Sequence, residues 1–528
     1  MLPALVVLIP AAAGIVIFAL GRYLGPLREA IAFAGAAAAL ACSIAVGATT
    51  MSGSVPVSFG RQFYADPLSA LLAVLISGIG FLATLYSLRY MRHQVQEGGL
   101  PHTTTHGRLT AFYGWLMLFV STMLWACLSN NIIMLYVAVE ASTIASGLLV
   151  AFYWDKRALE AGYKYLMLLT VGITFSLFGC VLVYATGASI LSAQWGDVEA
   201  GSRALLLSDL KDIVGQFPAT TVALAAAFLI VGFGTKAGIA PFHPWLPDAH
   251  AEAPTPVSAL LSGVMLKVAI YALVRTVSLF FPEFSPVAMF ALALGVFTLV
   301  IGDFMALAQD DLKRMLAYSS VSQMGYVLMG FGIGTQLGMY AGLFHMVNHA
   351  LAKSLLFLAS GAVVYSTGAR AISRLGGLAK KMPVTSFCFF VGALAIAGIP
   401  PFNGFQSKLA LFVAGADRGV WWAVIIGIAT SLITLVVVVK AARSVFWGKL
   451  SDAAAAPAVR EAPASVCVAM VILAALCLGI GLYPRSVYSP LKAAAASLQT
   501  VKSTPDSAVA RGVSPECTSH RSPVEYSR

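Results

Sequence analysis

Charge is scarce in this chain. Only 10% of its 528 residues are Asp, Glu, Lys or Arg, against about a quarter in ordinary soluble domains. Hydrophobic residues make up 59% and the mean hydropathy is +0.86, so the composition excludes an ordinary soluble domain and marks a polytopic membrane protein. The seven cysteines (Cys42, Cys127, Cys180, Cys388, Cys467, Cys477, Cys517) form no Cys-x-x-Cys pair, and all but Cys517 sit in apolar stretches. Iron–sulfur and zinc ligation are not expected from such a set. Also missing are a Walker lysine loop and a Gly-x-Gly-x-x-Gly turn after a strand. No ATP, NAD or flavin site is readable, so no cofactor is expected. The chain therefore carries neither an energy source nor a redox centre of its own. The excess of 33 Lys and Arg over 22 Asp and Glu would suggest nucleic acid in a soluble protein. Here it sits mostly in short loops, where it sets topology, and no nucleic-acid partner is expected.

What the sequence has in abundance is long apolar runs. About 20 such residues cross roughly 30 Å of hydrocarbon, and fourteen runs qualify, at approximately 2–20, 29–48, 67–88, 109–128, 130–153, 161–187, 219–240, 256–281, 286–308, 315–334, 337–366, 383–414, 420–446 and 465–484. The first lacks a basic start and is followed by further spans, so it reads as a retained helix rather than a cleaved signal. Asp66-Pro67 opens the third with a capping acceptor followed by proline at the first helical position. Loops after odd-numbered runs hold most of the cations, among them Arg28, Arg89, Arg92, Lys313, Arg314 and Arg370. By the positive-inside rule both termini then lie outside the cytoplasm, in a bacterial-type inner membrane. Residues 188–218 read as a polar external loop with one weakly amphipathic piece, and the Ser-, Thr- and Pro-rich tail 492–528 as disordered.

Ala237-Gly-Ile-Ala-Pro-Phe242 recurs 160 residues later as Ala397-Gly-Ile-Pro-Pro-Phe402. Both copies interrupt apolar runs with helix breakers. Irregular backbone at membrane depth survives only inside protein or along a cavity, so matched interruptions in two halves point to an ion path. Lys236 and Lys408 flank these breaks.

An Asp or Lys placed mid-helix costs about 2.5–3.5 kcal/mol on insertion scales, so charged residues within spans need partners, water or a function. Glu140 lies near the middle of the fifth run and Lys267 near the middle of the eighth. Lys164, early in the sixth, is a candidate ion-pair partner of Glu140 or a lysine that snorkels to the membrane face. In the eleventh run His345 and His349, four residues apart, share one helix face with Lys353 a turn further on. Histidine suits proton transfer. No third ligand accompanies the His-x-x-x-His spacing, so no metal is expected. His243, Asp248, His250 and Glu252, in the connection after the first break, form a possible proton entrance or a plain solvated loop.

Leu135–Thr143 around Glu140, the run Gly234–Ser258, Lys313–Gly325 and His345–Lys353 resemble the antiporter-like membrane subunits of respiratory complex I, of multisubunit cation/proton antiporters and of membrane-bound nickel–iron hydrogenases. The likeness spans roughly residues 60–450. Within that family Tyr86–His93, Val171–Tyr184 and Ala350–Gly361 are most similar to hydrogenase-4 component F, with the chain M type of complex I next. The resemblance implies an all-α fold of about fourteen transmembrane helices with two inverted five-helix repeats and broken helices 7 and 12, organised as a three-helix segment 1–108, the repeats at 109–281 and 282–446, a last helix in 447–491 and the tail 492–528. Carried over by position, Glu140, Lys236, Lys267 and Lys408 would be the main proton-transfer residues, with His345, His349 and Lys353 bridging two half-channels. Component F proteins have an acid near the position of Lys408, and Lys267 is similar to complex I instead. The implied function is proton translocation driven by a soluble redox partner, of hydrogenase or NADH/quinone type, beside further membrane subunits. Two alternatives stay open: a Na⁺/H⁺ antiporter subunit, and a structural membrane anchor for a redox or carbon-dioxide-trapping partner.

Overall fold

The computed structural model describes residues 1–97, 105–280, 285–457 and 459–498. Apart from a two-stranded hairpin, β1 (Val57–Ser58) against β2 (Phe63–Tyr64), the described regular structure is helical. In chain order the helices are α1 (Leu2–Leu24), α2 (Leu27–Met51), α3 (Pro67–Glu97), α4 (Thr105–Leu128), α5 (Ile132–Val150), α6 (Lys156–Trp195), α7 (Asp197–Arg203), α8 (Leu207–Ile213), α9 (Ala219–Ala237), α10 (Trp245–Glu252), α11 (Thr255–Leu260), α12 (Leu266–Val277), α13 (Ser285–Leu307), α14 (Leu312–Gly332), α15 (Gln336–Thr367), α16 (Pro383–Ala397), α17 (Asn403–Asp417), α18 (Trp421–Trp447), α19 (Asp452–Ala455), α20 (Ala464–Leu482) and α21 (Arg485–Ser497). A π turn, Leu261–Met265, joins α11 to α12.

Among the described residues 12 helices are long and apolar enough to cross a membrane, against fourteen runs expected from sequence. The difference has a local cause. α14 carries Lys313, Arg314, Ser319, Ser320, Ser322 and Gln323, which pull its hydropathy down, and the run 383–414 is split into two pieces of 15 residues each. Residues 188–218 are not the loop expected: α6 runs on to Trp195, and α7 and α8 follow. The C-terminal part differs as well, since α21 follows α20 and stays helical to Ser497, past the expected tail boundary at 492. Residues 499–528, including Cys517, lie outside the described residues.

Asp66 caps α3 by accepting from Ser69 N at 2.9 Å, and its other oxygen holds Arg275 of α12 at 2.6 Å. Glycines let α13 and α14 press backbone to backbone. A side chain on Gly302 would meet Ser322 N at 2.3 Å, and one on Gly325 would meet Leu299 N at 2.5 Å. The most apolar part of α11–α12 is wholly buried, and that of α15 nearly so. These two enclosed elements carry Lys267, His345, His349 and Lys353. Charge is therefore placed in protein interior, away from lipid.

Candidate functional site

The first break begins at Gly238, whose φ of 72° suits a residue without Cβ. The indole of Trp245 donates to Thr235 O at 2.9 Å, and Ala240 N donates to the Thr298 hydroxyl at 3.1 Å. The unwound backbone is thus satisfied by protein, as hydrocarbon surroundings require. Lys236, two residues before Gly238, is fully buried. Its ammonium donates to Val139 O (2.6 Å), Ser142 Oγ (2.7 Å) and Thr143 Oγ1 (2.6 Å) of α5. Three acceptors match three ammonium protons.

Glu140 adjoins that cluster but touches no cation. One carboxylate oxygen accepts from Thr170 Oγ1 at 3.2 Å, the other has no hydrogen-bond partner, and the residue forms no ion pair among the described residues. It is half-buried on a side of α5 where Met134, Val137 and Ile144 are exposed. Lys164 is not its partner: that lysine lies 2.7 Å from Glu160 and 3.5 Å from Asp248. The reason is depth. Thr170, the residue level with Glu140, is six residues further along α6, a rise of about 9 Å.

At the centre, Lys267 donates to Ser262 O inside the π turn at 2.5 Å, and its nitrogen lies 2.5 Å from His349 Nδ1. Single π turns inside helices recur at functional sites. One turn along α15, Lys353 donates to Leu316 O at 2.8 Å and to the Ser319 hydroxyl. One turn the other way, His345 lies 3.0 Å from Ser407 Oγ and 3.1 Å from Gln323 Oε1. Asn348 and Asn403 exchange hydrogen bonds of 2.9 and 3.0 Å beside them. The histidine helix thereby touches α12 on one side and α17 on the other.

The second break begins at Gly398, with φ 81°. Lys408, on α17, reaches back to donate to Ala397 O (3.2 Å) and Ser431 Oγ (2.9 Å), and lies 4.8 Å over the Tyr326 ring. A cavity of about 190 Å³ opens at this lysine, lined also by Ser431, Phe412 and Leu432. Sequence reasoning missed Asp303. It is fully buried on α13, accepts from Thr434 Oγ1 at 3.0 Å on both oxygens, and interacts electrostatically with Lys408 and Lys353. The cost argument that singled out Glu140 applied to it equally. Its place near the end of an apolar run gave no sign that it points inward.

The four possible entrance residues separate. Asp248 is held by Arg314 at 2.6 Å and Glu252 by Arg370 at 3.3 Å, both partly exposed. His243 is half-buried in the break. His250 is fully buried and stacked on Phe357 at 4.7 Å, with neither ring nitrogen hydrogen-bonded among the described residues. Lys313, buried at the start of α14, donates to Ala253 O at 2.6 Å and ties this connection down. Among the described residues no three His, Cys, Asp or Glu side chains converge as a metal-ligand set.

A family model described as NADH:quinone oxidoreductase/Mrp antiporter, TM matches residues 129–434, more than half of the chain. The chain belongs to this family. A second model, for the N-terminus of chain 5 of complex I, matches residues 50–98. The chain is 32% identical over 510 residues to NADH-quinone oxidoreductase subunit N of Desulforudis audaxviator, covering 92% of this chain and 97% of that protein. It is 34% identical over 381 residues to a hydrogenase-4 component F homolog of Methylacidiphilum infernorum, covering 71% and 78%. A chain of the archaeal membrane-bound sulfane sulfur reductase superposes with a TM-score of 0.82 at 26% identity, covering 94% of this chain and 97% of that one. As a member of the family this is a multi-pass integral membrane protein.

Proposed function

We propose that this chain is a proton-translocating subunit of a redox-driven membrane complex of hydrogenase-4 or NADH:quinone type. The observation that carries the proposal is a row of buried titratable groups running Lys236, Lys267, His349, Lys353, His345, Lys408 and Asp303, beside Glu140. In this reading the chain makes fourteen passes in two inverted five-helix units, with the breaks at 238 and 398 in helices 7 and 12 and both termini outside the cytoplasm. A shift in the charge felt at Glu140 alters the proton affinity of Lys236. The change passes through Lys267 and the histidine helix to Lys408, each step altering the energy of charge at the next.

Further membrane subunits are part of the reading, because both ends of the row approach the edge of the bundle. Glu140 and Thr170 lie among exposed Met167, Val171 and Val137, and a carboxylate facing hydrocarbon costs about 2.5–3.5 kcal/mol. A neighbouring subunit over α5 and α6 removes that cost, and the cavity at Lys408 offers a second meeting point. The soluble redox module supplies the driving force.

The test is Glu140→Gln in the intact complex in sealed vesicles. Assembly should be normal and proton pumping largely lost. Pumping at the wild-type rate would sink the proposal and leave a structural anchor, while strictly sodium-dependent proton flux in wild type would identify a Na⁺/H⁺ antiporter subunit.

A further inference from the structure

A second charged feature lies apart from the polar row, where the basic ends of α2 and α3 meet. A cavity of about 300 Å³ there is lined by Glu29, Phe33, Leu88, Arg89 and Arg92. Glu29 is buried and neutralised, 2.5 Å from Arg92 and 3.8 Å from Arg28, while Arg89 is exposed at the rim. Three arginines around one carboxylate leave the mouth positive.

Deeper along the same two helices lies an apolar cleft of about 400 Å³, lined by Leu40, Gly78, Phe81, Leu82, Leu351 and Leu476 among others. The two cavities are in register. Phe33 and Leu40 are seven residues apart on α2, as are Leu82 and Arg89 on α3, so each pair shares a helix face two turns apart. Phe33 packs on Phe81 with ring centroids 5.0 Å apart, joining the head of one cavity to the other. From Arg89 to Gly78 the helix rises about 16 Å, half of a hydrocarbon core about 30 Å thick. A cationic mouth at one membrane face, followed by an apolar channel one leaflet deep, has the shape and charge of one kind of molecule.

We propose that this edge binds an anionic phospholipid, with its headgroup on Arg89 and Arg92 and an acyl chain in the cleft. A free phosphate has no use for the cleft. A partner's apolar transmembrane helix would cover the cleft yet bring no anion to Arg89 and Arg92, whereas an anionic lipid meets both cavities. Basic pockets between helices at a membrane face are suited to such headgroups. The chain would lie against Val347 and Leu351, on the histidine helix itself. Lipid occupancy is therefore placed to stiffen the element that joins the two halves of the polar row.

The experiment purifies the protein with whatever subunits accompany it, in mild detergent, and measures bound lipid by native mass spectrometry. It also follows unfolding with added phosphatidylglycerol, phosphatidylcholine or inorganic phosphate, since a ligand of the folded state raises its stability by mass action. Wild type should retain about one anionic lipid per chain, with phosphatidylglycerol protecting more than phosphatidylcholine and phosphate not at all. Arg89→Gln should weaken phosphatidylglycerol about five-fold, the worth of one cation near the surface. At Gly78 an added Cβ meets only Leu40, at 3.9 Å, so the larger side chain of Gly78→Leu grows into the cleft and should expel the lipid, with unfolding in the absence of lipid showing that the variant is folded. Protection by inorganic phosphate equal to that by phosphatidylglycerol, equal retention of both lipids in wild type and Arg89→Gln, or undiminished lipid in Gly78→Leu would overturn the proposal. Lipid found on the isolated chain but absent from the intact complex would also overturn it, by assigning the cleft to a partner.

Discussion

The two breaks begin with the same residues, Ala-Gly-Ile, and the same backbone, a left-handed glycine after the last helical alanine. Their lysines are used in opposite ways. Lys236 precedes the first break and points away from it to three acceptors on α5, leaving a neutral indole to cap the broken end. Lys408 follows the second break by ten residues and caps the broken end itself, at Ala397 O. A buried carboxylate, Asp303, faces the second lysine electrostatically, whereas Glu140 stands beside the first at the edge of the bundle. A break of fixed geometry thus provides free backbone groups, and the surrounding helices decide whether the charge is stored beside it or on it.

If both lysines are obligatory stations, the largest effect belongs to their removal. Lys236→Met and Lys408→Ala should each lower proton translocation about a hundred-fold, the scale of a lost proton-transfer group, in complexes that still assemble. Lys408→Glu should keep partial activity, because an acid still carries a proton although the sign of its coupling to Lys353 reverses. Equal, wild-type flux in all three would make the breaks structural and erase the comparison. The next effect sharpens it. Asp303→Asn should slow flux about ten-fold. Its loss should be strongly non-additive with Lys408→Ala, whose lysine it interacts with directly, and more weakly so with Lys236→Met, whose lysine it reaches only through the row. Additivity with both would show that Asp303 does not serve the second lysine. The smallest concerns the caps: Trp245→Phe removes one hydrogen bond to Thr235 O and should cost about 0.6–1 kcal/mol, visible in detergent unfolding, with flux nearly intact. A large loss of flux would mean that the indole does more than satisfy a carbonyl.

Much of the site was legible because burying charge is expensive, and that expense is written residue by residue. Lys236, Lys267, His345, His349, Lys353 and Lys408 stood out in apolar runs, and all six are buried. Lys164 stayed open between snorkelling and pairing with Glu140, because pairing depends on depth along two separate helices; it lies beside Glu160 and Asp248. Asp303 was passed over because the direction of a side chain near a helix end is set by what packs there. The entrance set looked uniform in sequence, yet His250 is sealed in the core while Asp248 and Glu252 are held in surface ion pairs.

The sequence by itself determined the membrane class, the helix runs, the two breaks and most of the costly charges, since hydropathy, missing backbone donors and desolvation are local properties. Only the tertiary structure decided the partners. It set Lys236 among hydroxyls more than ninety residues away, joined Lys267 to His349 beside a π turn, linked His345 to Ser407, and brought α13 against α14 and α18 so that Asp303 meets Thr434. Those contacts follow from how helices pack across the whole chain, and no window of sequence contains both sides of such a contact.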